Sequence, residues 1–180
     1  MRMEARRSAL VLIDLQERLM PAIEGGPGVV ERCAILLQAA RRLDVPVLAT
    51  RQYPRGLGAL VAPFDEALRP RECHDKLAFS AFAEDPARAA LRDLGRDCFV
   101  LAGVEAHVCV LQTALDLLGE GYGVAIVADA VSSRTGQSRE LALARLRANG
   151  ALIVNAEMVL FEWLERAGTD AFRDLSPLIR

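Results

Sequence analysis

Cys109 lies six residues past Gly103, where the apolar stretch 98–102 gives way to a tight connection. Apolar periodicity predicts a helix over residues 108–118, which places this thiol in its first turn. A helix N-terminus presents unpaired N–H groups and a partial positive charge. Both favour the thiolate, which is the nucleophilic form of cysteine. The same N–H groups suit the oxyanion of a tetrahedral intermediate. Cys33 and Cys98 sit inside apolar periodic segments and read as small buried hydrophobes.

Two further residues have chemistry that would complement a thiol. Asp14 closes the apolar run SALVLI, where an isolated carboxylate would be costly. Such an aspartate either caps a turn or serves as a general base, taking the thiol proton and passing it to a leaving amine. Lys76 is the one lysine among 22 basic residues. Arginine serves as well on a solvated surface. The solitary lysine is therefore a survivor of that bias or a compact charge kept for a purpose. Beside Asp14 and Cys109 it would lower the pKa of both groups and hold Asp14 ionised.

These residues need elements to bring them together. Strands are expected at 8–13, 45–49, 98–102, 124–128 and 151–154, with a short extended piece around 76–79. Helices are expected at 29–43, 85–94, 108–118, 138–148 and 158–166, the second with Asp85 as N-cap and Pro86 at its first position. Residues 54–70 read as loop-rich and 129–137 as a polar loop. The alternation predicts an α/β fold, a single-domain three-layer sandwich over residues 1–180. Its six-stranded parallel sheet would carry helices on both faces. In such sheets ligands bind beyond the carboxyl ends of the strands, where strand order reverses. Asp14, Lys76 and Cys109 all fall near strand ends.

Composition narrows the function classes. With 52% hydrophobic residues the chain can bury a sizeable core. The net charge of −2, with basic residues scattered, leaves no footprint for nucleic acid or an anionic membrane. No apolar run approaches the ~20 residues of a membrane helix, and the run ending at Asp14 is too short for a secretory leader. Four cysteines without a Cys-x-x-Cys pair read as free thiols, so a cytoplasmic location is expected. His74 and His107 are the only histidines, and no metal-ligand spacing appears, so no metal or cofactor is expected.

Four stretches occur in order along the chain: LVLIDLQERL at 10–19, DKLAFSAF at 75–82, GVEAHVCV at 103–110 and VADAVSSR at 127–134. In them the chain resembles the isochorismatase-like hydrolases, which include nicotinamidases, N-carbamoylsarcosine amidases and isochorismatase itself. The resemblance implies a Rossmann-type strand order and a triad of Asp14, Lys76 and Cys109. It also implies a cis peptide between Val104 and Glu105, with an oxyanion hole formed around Val104, Glu105 and Cys109. The reaction implied is attack of the thiolate on an amide-like carbonyl of a small molecule. Release of ammonia or an amine and hydrolysis of the thioester would follow.

TRQYPRGLG at 50–58 is similar to the branch called isochorismatase domain-containing proteins. Nicotinamidases carry an aspartate and metal-binding histidines in this region, which this stretch lacks. Isochorismatase proper does not keep the cysteine. Gln16, Gln52, Tyr53 and Phe79 are expected substrate contacts. His107 reads as a structural residue, and Ser132, Ser133 and Arg134 as part of the site or of a contact with a neighbouring subunit in a homo-oligomer. A non-catalytic member or a redox-sensing thiol protein, with Cys73 resolving Cys109, is the alternative.

Overall fold

Every residue of the first strand, β1 (Ser8–Ile13), is buried, because it lies at the centre of a sheet covered on both sides. The computed structural model describes residues 2–179. After β1 come α1 (Gly26–Arg42), β2 (Val47–Gln52), the single turns α2 (Pro54–Leu57) and α3 (Phe64–Ala67), and β3 (Cys73–Lys76). The second half runs through α4 (Asp85–Asp93), β4 (Cys98–Val104), α5 (Leu111–Gly119), β5 (Gly123–Ser132), α6 (Gly136–Ala148) and β6 (Leu152–Val154). Helices α7 (Ala156–Leu164) and α8 (Asp170–Leu175) complete it.

The six strands pair in the order β3-β2-β1-β4-β5-β6, and every pairing is parallel. The order therefore reverses between β1 and β4. Alternation along each strand divides the core into two layers. Leu10 and Leu12 of β1 join Val100 and Ala102 of β4 against α1 and α7. Ala9, Val11 and Ile13 join Phe99 and Leu101 against α4, α5 and α6. Each of the leucine, valine, isoleucine and phenylalanine side chains contributes roughly 1.5–3 kcal/mol on burial. Thr135 and Asn155 cap α6 and α7 by accepting from the N–H groups of Ser138 and Met158.

The expected fold class is the observed one, and the differences lie at element ends. β2 extends to Gln52 and β5 to Ser132, past the apolar residues that mark them in the sequence. The end of β2 is polar yet paired with β3, and β5 resumes at buried Ala130 and Val131 after exposed Asp129 and a register shift opposite β4, so hydropathy alone stops too early. β3 precedes Phe79 instead of including it, because its Cys73–Lys76 segment pairs with Ala49–Gln52. Asp85 is the first residue of α4, not its cap; Glu84 precedes it and accepts from the N–H groups of Leu77 and Ala78, each at 2.9 Å. The turns α2 and α3 and the helix α8 are too short for periodicity to reveal.

Gly103 is the one position where β4 demands glycine. Its φ is +113°, and a Cβ there would stand 2.1 Å from the Ile13 carbonyl oxygen. The missing side chain lets β4 lie against β1 where the strand order reverses. We predict that Gly103→Ala lowers the stability measured by urea unfolding by at least about 2 kcal/mol, since it adds both overpacking and a left-handed φ. Wild-type stability in this variant would contradict the close approach.

Candidate active site

Four strand ends converge beyond the carboxyl edge of the sheet. Asp14 follows β1, Gln52 ends β2, Lys76 ends β3, and Cys109 follows β4 in a π-helical turn (Ala106–Val110) that leads into α5. Chain reversal after β1 is abrupt: Asp14 has φ +54°, a left-handed conformation that aspartate tolerates better than most residues. The Asp14 carboxylate is fully buried, and its charge is met on both oxygens. Oδ2 pairs with Lys76 Nζ at 2.8 Å, and Oδ1 accepts from the Thr50 hydroxyl at 2.7 Å.

Lys76 Nζ spends its three donors on Asp14 Oδ2, on Gln52 Oε1 at 2.6 Å and on the Phe79 carbonyl at 3.0 Å. Cys109 is 5% exposed and faces the same oxygen of Gln52, with Sγ 3.9 Å from Oε1. The structure thus brings Asp14, Lys76 and Cys109 together around one amide. Thr50 was not singled out in the sequence. Its signal would have been a polar TRQ sequence continuing an apolar strand.

Electrostatics differ from the expectation of a stable thiolate. Burial pushes the Cys109 thiol up to about 12, with the nearby Asp14 charge adding to the effect and Lys76 opposing it. The helix start helps less than expected, because the N–H groups of Val108 and Val110 both donate to the Glu105 carbonyl. A neutral thiol beside a carboxylate is an arrangement for proton transfer during attack. Cys33, wholly buried, is pushed up further by desolvation.

Among the expected substrate contacts, Gln16 is wholly buried. It accepts from Gln52 N at 2.7 Å and donates to the carbonyls of Gln52 and Gly58, so both amide donors are used within the protein. Gln52 is also turned inward. Tyr53 and Phe79 are each 52% exposed and, with Leu77, form an apolar rim where β2 and β3 end. The loop carrying Phe79 is tied towards α5 by Ser80 Oγ donating to Asp116 at 2.6 Å and by Ala81 N donating to Thr113 Oγ1 at 2.9 Å.

The Val104–Glu105 peptide is cis. Glu105 Oε2 accepts from both N and Nε of Arg134, at 3.1 and 3.0 Å, and His107 Nδ1 lies 2.9 Å from Ser133 Oγ. Ser133 and Arg134 therefore anchor the 105–107 segment within the protomer. Cys73, the expected resolving thiol of the redox alternative, does not share a core layer with Cys109. It packs on the α1 and α7 side of the sheet, whereas Cys109 packs on the opposite side. Among the described residues no group of three or more His, Cys, Asp or Glu is arranged to hold a metal ion, and no helix is long and apolar enough to cross a membrane.

Comparison with known proteins supplies a context for this geometry. Residues 8–158 match the model of the isochorismatase domain. Isochorismatase domain-containing protein 2 of Danio rerio is 39% identical over 99% of this chain and 89% of its own. A secreted isochorismatase effector of Phytophthora sojae is 37% identical over 96% of this chain and 84% of its own. Among solved structures, one described as a ribonuclease from Caenorhabditis elegans aligns with a TM-score of 0.92 and 35% identity, covering 99% of this chain and 92% of that one. The Escherichia coli YcaC gene product, described as an octameric hydrolase of unknown specificity, aligns at 0.90 with 23% identity, over 98% and 88% of the two chains.

The raised thiol predicts the pH dependence of its reactivity. Less thiolate is present at neutral pH than for an ordinary cysteine, so iodoacetamide alkylation of Cys109, followed by mass spectrometry, should keep rising with pH beyond ~9. A rate that levels off near neutrality would contradict the neutral thiol.

Proposed function

The chain belongs to the isochorismatase-like hydrolase family, and from that premise we propose that it cleaves small neutral amides through a thioester on Cys109. One observation carries this reading: a buried Asp14–Lys76 ion pair at 2.8 Å meets the Cys109 thiol around Gln52, although the three lie far apart in sequence. Asp14 takes the thiol proton as Sγ attacks the amide carbonyl carbon. The C–N bond then breaks, and the proton leaves on the departing ammonia or amine. Asp14 next takes a proton from water, whose oxygen attacks the thioester. The carboxylic acid departs, and the proton returns to Cys109. The net change is an amide plus water giving a carboxylic acid plus an amine.

Lys76 holds the Asp14 carboxylate in place through the 2.8 Å pair and offsets negative charge developing near sulfur. The oxyanion is assigned to the turn formed by Val104, Glu105 and Cys109. The exposed rim of Tyr53, Leu77 and Phe79 fits the apolar part of the substrate. Asp14 and Lys76 neutralise each other, as do Glu105 and Arg134, which disfavours a charged substrate. Homo-oligomeric assembly accords with the octameric state described for the Escherichia coli neighbour. Four free thiols accord with a reducing, cytoplasmic setting, although the Phytophthora sojae relative is described as secreted.

RNA is the substrate class suggested by the description of the Caenorhabditis elegans structure. Net charge argues against it here, and many arginines are already paired with acidic neighbours, among them Arg7, Arg41, Arg51, Arg92 and Arg134.

Ammonia release from a panel of primary amides tests the proposal, with RNA degradation measured in parallel. We expect neutral amides with apolar acyl groups to be turned over, Cys109→Ala to abolish turnover, and Phe79→Ala to raise KM by about tenfold. Turnover that survives Cys109→Ala, or RNA cleavage without any amide hydrolysis, would overturn it.

A further inference from the structure

Gln52 occupies a position that substrate recognition does not explain. It ends β2, yet its side chain turns into the site and both ends of the amide are engaged. Oε1 accepts from Lys76 Nζ at 2.6 Å and lies 3.9 Å from Cys109 Sγ, while Nε2 donates to the Leu77 carbonyl at 2.9 Å. Chemistry fixes which end faces which partner. An ammonium can only donate, so the oxygen must face Lys76; a carbonyl can only accept, so the nitrogen must face Leu77.

The backbone of Gln52 is held as firmly as its side chain. Asp14 N donates to the Thr50 carbonyl at 3.1 Å, continuing the β1–β2 ladder. At Gln52 the side chain of Gln16 takes over. It accepts from Gln52 N at 2.7 Å and donates to Gln52 O at 3.0 Å, as a neighbouring strand would. A side-chain amide thus extends the sheet by one more rung, and that rung carries the residue between Lys76 and Cys109.

The Lys76 ammonium rests on Asp14, Gln52 and the Phe79 carbonyl. The oxygen of Gln52 is shared between the ammonium, at 2.6 Å, and the sulfur, at 3.9 Å, so it draws the positive charge towards Cys109, whereas Asp14, also beside the thiol, opposes its ionisation. We propose that Gln52 is a positioning residue that holds the Lys76 ammonium towards the nucleophile, and that it is not a substrate contact. The inference rests on Cys109 being the reactive group. Asp14 opposes ionisation of the thiol and Lys76 favours it. Reactivity at sulfur is then set by where the ammonium sits.

Two substitutions separate this role from ligand binding. Gln52→Glu keeps the shape, adds negative charge close to sulfur and competes with Asp14 for Lys76. Gln52→Met fills the space without an acceptor, so Lys76 loses the partner that it shares with the sulfur. A residue that only contacts substrate would leave reaction with a small neutral reagent unchanged.

The test is the rate of Cys109 alkylation by iodoacetamide between about pH 7 and 10, with urea unfolding as a check on folding. Gln52→Glu is expected to slow the reaction by about tenfold or more and to move its pH profile upward, and Gln52→Met to slow it severalfold. Wild-type rates and profiles in both variants would overturn the proposal. Should the methionine variant fail to fold, the isosteric glutamate decides alone. Slowed alkylation in these variants, with no amide turned over by the wild-type protein, would remove the amidase reading and leave this one standing. Turnover that depends on Cys109, with unchanged alkylation in both variants, would remove this inference and leave the amidase reading standing.

Discussion

Asp14 and Lys76 meet at 2.8 Å with neither side chain exposed. Removing two such charges from water costs several kcal/mol per ion, which attraction recovers only if the remaining hydrogen-bonding capacity is also met. Much of the surrounding sequence meets that demand. Thr50 satisfies the second oxygen of the carboxylate, and Gln52 and the Phe79 carbonyl satisfy the remaining donors of the ammonium. The polar ends of β2 and β3, the left-handed turn at Asp14 and the loop that returns Phe79 to Lys76 are the scaffolding of one buried ion pair. Its location follows from topology, since β1 leaves the sheet where strand order reverses.

A buried ion pair also dictates the state of its neighbour. Cys109 lies in the same dry space, where its ionised form would lack water and stand beside a carboxylate. On the proposed mechanism the resting site holds a protonated sulfur beside a carboxylate, and ionisation is deferred until a substrate carbonyl can share the charge. A thiol of this kind is protected from casual oxidation and alkylation, which follow thiolate character. Among the described residues, Cys33, Cys73 and Cys98 all pack on the other side of the sheet from Cys109.

Much of this is legible in the sequence, because apolar runs buried on two faces announce parallel strands and helical spacing announces the layers between them. The solitary lysine, the aspartate at a strand end and the cysteine past a glycine were visible as residues with chemistry. Hydropathy failed where strands carry polar groups inward, as at Thr50, Gln52 and Ser132. It could not show that Gln16 imitates a strand or that Gln52 bridges Lys76 and Cys109, because both depend on side-chain direction. Nor could it weigh a helix terminus against burial, which settles the protonation of Cys109 against the simpler expectation.

The site depends on Asp14 and Lys76 acting as a charged pair in the interior. A double-mutant cycle on stability measures this directly, using Asp14→Leu, Lys76→Met and the two combined, each followed by urea unfolding. Removing one partner leaves an uncompensated buried charge and should cost about 3–5 kcal/mol, while the doubly substituted protein should be more stable than either single variant. Losses that simply add would contradict the coupling and, with it, the assignment of this pair as the foundation of the site.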